Sequence, residues 1–101
     1  MASLYVTEYA GLGTFGGVAS AVAKEPEITT QVVSITGSSG ASSAFNPATS
    51  FIRVHTDAIC SVIVGTNPTA TTSKKRLAAN QTEYFAVPSG LSYKIAVISN
   101  T

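Results

Sequence analysis

The chain predicts an all-β fold: a small antiparallel β-sandwich or barrel of jelly-roll or Greek-key type, preceded by an extended N-terminal arm. Three observations lead there. Apolar residues recur in steps of two, the period of a half-buried strand. Turn-forming Gly, Pro, Asn and Asp punctuate these runs at near-regular spacing. No stretch carries a convincing helical period, and six or seven short strands with such punctuation suit an antiparallel sandwich or barrel.

The C-terminal stretch is the clearest. Leu91, Tyr93, Ile95 and Val97 fall on one face, and Ser92, Lys94 and Ala96 on the other. Before them, Glu83, Phe85 and Val87 alternate with Thr82, Tyr84 and Ala86. Pro88-Ser89-Gly90 lies between the two runs. Proline presets the first corner of a turn and glycine takes a left-handed one, so the pattern predicts a hairpin.

Working from the N-terminus, Ser3–Tyr9 reads as a strand with Leu4, Val6 and Glu8 on one side. Ile28–Ile35 is β-branched and strand-like, and Gly37–Ser43 is a loop by composition. Ser50–Thr56 alternates again, and Asp57 turns the chain. Ala58–Val64 is the most hydrophobic strand, ended by Gly65-Thr66-Asn67-Pro68. Thr69–Arg76 is a polar excursion, and Leu77-Ala78-Ala79 adds a short strand. The expected core is Val32 or Val33 with Ile52, Val54, Cys60, Val62, Val64, Phe85, Tyr93, Ile95 and Val97.

At 101 residues the chain is one domain with a single core. Residues 1–24 are expected to form the arm and its short strand, and residues 25–101 the sandwich. Only 11% of residues are charged against 45% hydrophobic. That is well under the usual charged share of ~25%, so Ser, Thr, Asn and Gly must solvate the surface. Such a surface suits a protein that sits against other proteins. A net charge of +1 gives no broad attraction to nucleic acid or to a membrane. The single cysteine, Cys60, lies in an apolar run and rules out an internal disulfide scaffold. Residues 9–23 are uncharged and end in an A-x-A pattern. No basic residue precedes them and Glu8 does, so the expectation is a soluble chain made in the cytoplasm.

Chemistry-bearing patterns are sparse. Gly11-Leu12-Gly13-Thr14-Phe15-Gly16 matches G-x-G-x-x-G after a strand. A dinucleotide fold also needs a following helix and a second strand ending near an acid. Pro26 cuts any helix short, and the next strand runs into Thr36-Gly37-Ser38-Ser39. His55 and Asp57 share a strand face, but with no second histidine they predict a strand-end hydrogen bond rather than a metal or acid–base site. No serine lies in G-x-S-x-G. No catalytic, cofactor or metal residue is therefore assigned, and the chain is not read as an enzyme. Lys74-Lys75-Arg76, the only charge run, reads as a solvated loop tip or a protein contact. Tyr84, Phe85 and Tyr93 could form a sugar-stacking platform, or be core on one side and cross-strand pairs on the other.

The opening MASLYVTEYAG, the centre VHTDAICSVIVGTNPTATTS and the close RLAANQTEYFAVPSGLSYKIAVISNT resemble small structural proteins of tailed bacteriophages and prophages. Glu25–Ser50 is a less familiar, loop-rich spacer. The resemblance implies a virion protein of the capsid decoration or cement type, made in the bacterial host cytoplasm and seated on the capsid surface. It implies the major capsid protein and further copies of the chain as partners, and no cofactor. The alternative is a receptor- or carbohydrate-binding β module of a tail or fibre. Tyr5, Tyr9 and Phe15 have no periodic partner in the arm. With Leu4, Lys74, Lys75 and Arg76 they are the expected interface residues. Deleting residues 1–24 is expected to leave a folded domain.

Overall fold

The computed structural model describes residues 2–15 and 18–100, with side chains outside 14–22. The described residues form ten strands and no helix. Two four-stranded antiparallel sheets face each other, and a separate two-stranded ribbon completes the fold.

The first sheet has the order β4-β1-β6-β9, with β1 at Ser3–Tyr9, β4 at Thr29–Ser34, β6 at Phe51–Thr56 and β9 at Thr82–Ala86. The second has the order β5-β10-β7-β8, with β5 at Gly40–Ala41, β7 at Cys60–Gly65, β8 at Lys75–Leu77 and β10 at Lys94–Ser99. From β4 onward, successive strands switch sheets at every connection except β7 to β8. This is the strand order of a double-sheet jelly roll. Here β1, the first strand in sequence, takes the inner position beside β4 that a last strand would hold.

The alternation seen in the sequence decides which side chains meet between the sheets. Leu4 and Val6 of β1, Val33 of β4, and Ile52 and Val54 of β6 point inward from the first sheet. Cys60 and Val62 of β7, Leu77 of β8, and Ile95 and Val97 of β10 meet them from the second. Ile35, Phe45 and Val87 close the ends, and Val64, Phe85 and Tyr93 pack against the cluster from the rim. Fully burying a Val, Leu or Ile contributes about 1.5–3 kcal/mol, so this cluster is the main source of stability. The expected core is correct as far as it goes, but it lacked Leu4, Val6, Ile35, Phe45, Leu77 and Val87.

Two expectations are corrected. First, Pro88-Ser89-Gly90 does not close a hairpin. β9 pairs with β6 in one sheet and β10 with β7 in the other, so the connection crosses the sandwich. Gly90 does take the left-handed conformation, with φ of 78°, and Ser92 joins it at 55°. The turn chemistry was right, but a left-handed corner serves a crossover as well as a hairpin. Leu91 consequently sits in the crossover and is exposed.

Second, the boundary between arm and sandwich does not fall at residue 24. β1 is hydrogen-bonded on both sides, to β4 and to β6, with Leu4 and Val6 fully buried. Deleting residues 1–24 would remove an inner strand and split the first sheet, so no folded domain is expected from that truncation. What remains separate is the ribbon, β2 (Leu12–Phe15) with β3 (Val18–Ala23), whose strands pair only with each other. The Lys24 amide donates to the Gly11 carbonyl at 2.9 Å and pinches the ribbon at its base. The molecule measures 45 × 26 × 21 Å, a long axis that fits a ribbon reaching beyond the sandwich.

Glu8 follows the inward alternation of β1 and is fully buried. Its Oε1 accepts hydrogen bonds from the Asn46 amide and the Thr49 hydroxyl, both at 2.8 Å, and its Oε2 from Gln31 Nε2 at 2.9 Å. Gln31 in turn accepts from the Ser43 amide at 2.8 Å. One carboxylate thus ties β1, β4 and the connection into β6. A buried carboxylate survives only with such donors around it. Among the described residues, no buried side-chain nitrogen or oxygen lacks a partner.

Candidate functional site

The candidate site lies on the outward face of the first sheet. The residues of β1, β6 and β9 that alternate away from the core are Tyr5, Thr7 and Tyr9, then Phe51, Arg53 and His55, then Thr82, Tyr84 and Ala86. Register places Tyr9 opposite Phe51, Arg53 opposite Tyr84, and His55 opposite Thr82. The three aromatic rings at one end form a row. Tyr9 and Phe51 lie 6.1 Å apart between centroids at a tilt of 45°, and Phe51 and Tyr84 lie 5.6 Å apart and nearly parallel. These separations are within the range for favourable aromatic pairing.

The row forms the floor of an open cleft of about 650 Å³. Leu12 and Ala23, at the base of the ribbon, make one wall, while Glu25 and Arg53 supply the charged groups. The Tyr9 hydroxyl donates to Glu25 Oε2 at 3.1 Å, which holds the carboxylate at the rim. Burial, then the Glu25 hydrogen bond and the charges of Glu25 and Glu27, raise the Tyr9 pKa above its ordinary value. Arg53 opposes that shift. Ligand pockets of roughly 300–1,000 Å³ with aromatic walls and a few convergent polar groups are the usual form of small-molecule sites.

The expected interface residues separate on inspection. Leu4 is fully buried in the core and Tyr9 is 6% exposed, so neither forms an open contact surface. Tyr5 is outward on β1 and 40% exposed, and stays available. The Phe15 side chain lies outside the described residues. Lys74, Lys75 and Arg76 are exposed, and Lys75 Nζ stands 5.9 Å above the Phe85 ring. That contact spans the edges of the two sheets, where charges also discourage pairing with another chain.

The sugar-stacking trio is divided. Phe85 and Tyr93 pack against the core, and only Tyr84 faces outward. Its companions in the row are Tyr9 and Phe51, which sequence reading did not group with it. The signal was the matching outward parity of three strands, but it needs the pairing register to be usable.

His55 Nδ1 lies 2.8 Å from the Thr82 hydroxyl, its cross-strand neighbour. That is the ordinary cross-strand contact for such a pair. Burial raises the Cys60 thiol above its ordinary value, and the Thr56 hydroxyl 3.4 Å away opposes the shift. Among the described residues no group of three or more His, Cys, Asp or Glu converges.

Compared with family models, with curated proteins and with solved structures, the chain matches none of them. What fold and site define is a class: a small all-β jelly-roll sandwich with an aromatic cleft and a protruding ribbon.

Proposed function

We propose that this chain is a structural component of a bacteriophage virion, a decoration or cement protein on the capsid surface. It reinforces the head through contacts with the major capsid protein and with further copies of itself. The observation that carries this reading is the ribbon. An isolated two-stranded ribbon is marginally stable at best in water. Residues 12–23 contain no charged residue, so covering them by a partner incurs no ionic desolvation cost. A rigid sandwich that holds out an uncharged ribbon has the form of an adhesive module, in which strand edges and apolar side chains supply the contact. The jelly roll is also common in capsid proteins, an analogy of fold that adds weight without assigning a role. The sequence resemblance to phage structural proteins points the same way.

The test uses the pinched base of the ribbon. Replacing residues 12–23 by Asn-Gly leaves Gly11 and Lys24 joined where they already meet. The variant is expected to keep the dispersed spectrum of a folded sandwich and to lose binding to particles. Purified particles are expected to carry the intact protein at hundreds of copies, countable by quantitative mass spectrometry. A handful of copies would move the protein to the tail or a fibre. Its absence from particles would overturn the proposal, and full decoration by the ribbonless variant would show that the ribbon is not the contact.

A further inference from the structure

We infer that the cleft over Tyr9, Phe51 and Tyr84 is a binding site for a neutral hexopyranose unit of a glycan, an activity separate from the proposed capsid contact. The floor is the first reason. The C–H bonds of one pyranose face form a weakly positive apolar patch, which matches the negative face of an aromatic ring. Tyr84 is 53% exposed although it stacks on Phe51. Tyr5 and Val32 are exposed on the same face, but Tyr84 lines the cleft and offers there ring surface that its own chain does not use.

The charges are the second reason, and they select the ligand. Arg53 is half-buried beside the aromatic row and donates only. Glu25 is exposed at the rim and accepts only, and the Tyr9 hydroxyl holds it there. Glu27 adds negative charge close enough to act on Tyr9. An anionic sugar would gain at Arg53 and lose at Glu25 and Glu27, while a cationic ligand would do the reverse. A neutral polyol uses both groups, because each hydroxyl can accept from a guanidinium or donate to a carboxylate. Hydrogen bonds to charged groups are the stronger ones.

The size of the space is the third reason. At about 650 Å³ and open along one side, the cleft admits a ring with its neighbours in a chain rather than a fully enclosed small molecule.

The experiment is an amide and aromatic NMR titration of the full chain. The probes are the methyl glycosides of glucose, galactose and mannose, with maltose, lactose and cellobiose as short oligomers. Glucuronate is the anionic control and a tyrosine-containing tripeptide the non-sugar control. Concentrations run to the order of tens of millimolar, because single-ring recognition is weak. Saturable shifts confined to Tyr9, Phe51, Arg53 and Tyr84, from at least one neutral saccharide, are the expected result. Tyr84→Ala should weaken that saccharide by roughly tenfold with spectral dispersion retained, the loss of one stacking surface. Arg53→Gln should weaken it several-fold. No response to any neutral saccharide, a response to glucuronate or the tripeptide alone, or shifts centred away from the cleft would each overturn the assignment.

Discussion

The two sheets of the sandwich turn opposite kinds of surface outward. The outer face of the first carries Tyr5, Tyr9, Phe51 and Tyr84 with Arg53 and His55, and much of it stays open. The outer face of the second carries Ser61 and Ala96, both fully buried although they point away from the core. Their cover is the chain itself. The excursion between β7 and β8 folds back over this face, with Ala70 2% exposed. Asn100 Nδ2 donates to Ser61 Oγ at 2.7 Å and to the Thr72 carbonyl at 3.0 Å, and the Ala70 amide donates to Ser39 Oγ at 2.8 Å. Small side chains let a backbone approach closely enough to be pinned, whereas large rings keep it away. The second face therefore closes on itself where Ser61 and Ala96 lie, with Ile63 and Ile98 half-buried beside them, while the ring-bearing end of the first face stays open.

The largest expected effect comes from the group beneath the open face. Glu8→Ala leaves the Asn46 amide, the Thr49 hydroxyl and Gln31 without their acceptor. Stranded buried donors cost about 1–3 kcal/mol each, and partial rescue by water leaves an expected loss of at least about 3 kcal/mol. Urea unfolding measures it. A loss under about 1 kcal/mol would show that the carboxylate does not anchor β1 to the loop leading into Phe51.

The covered face should respond less. Asn100→Ala removes the bridge between Ser61 and the excursion at an expected cost of about 1–2 kcal/mol. Hydrogen exchange should rise at residues 66–74 while the amides of β1 and β6 keep their protection. Equal protection of residues 66–74 in the variant and the parent chain would mean that packing of Ala70, and not the Asn100 bridge, holds the cover down.

On the open face, Tyr84→Ser should change stability by only about 0.5–1 kcal/mol, the value of one aromatic pair. The same variant should weaken saccharide binding in the cleft by roughly tenfold. A loss of several kcal/mol would make Tyr84 part of the core and end the contrast between the faces.

Alkaline pH should give the gentlest change. Folding raises the pKa of Cys60 from its ordinary 9.0 and of Tyr9 from 10.0, in both cases first through burial. Above those ordinary values the unfolded chain releases protons that the folded chain keeps. The folded state then binds more protons, so stability falls as pH rises. Well below pH 9 these two groups contribute no slope. Cys60→Ala should remove the earlier part of the decline and leave the part due to Tyr9. Melts between pH 8 and 11 test both; stability that rises with pH over that range would contradict the burial of both groups.

Much of this architecture was legible in the residues, and the misses have a common cause. β1 was read at Ser3–Tyr9, where it lies. Leu4, Val6 and Glu8 were also placed on one shared face, because alternation is a property of the strand alone; that this face is the buried one was not read, and Leu4 was expected at an interface. The partners of Glu8 were not legible, since Gln31, Asn46 and Thr49 lie 23, 38 and 41 positions away. The ribbon was missed because Gly-rich, Ala-rich sequence is weak in strand propensity and is held here by pairing.

By itself, the sequence determined the all-β class, the alternation of β1, β6, β7, β9 and β10, and the left-handed corner at Gly90. Each of these depends on steric preferences within a few residues. Only the tertiary structure decided that β9 and β10 belong to different sheets and that β1 is an inner strand. It also decided that Tyr9, Phe51 and Tyr84 share a cleft. A strand's period states which face is apolar but not which neighbour will cover it. That choice is made when two apolar faces from distant parts of the chain exclude water from each other.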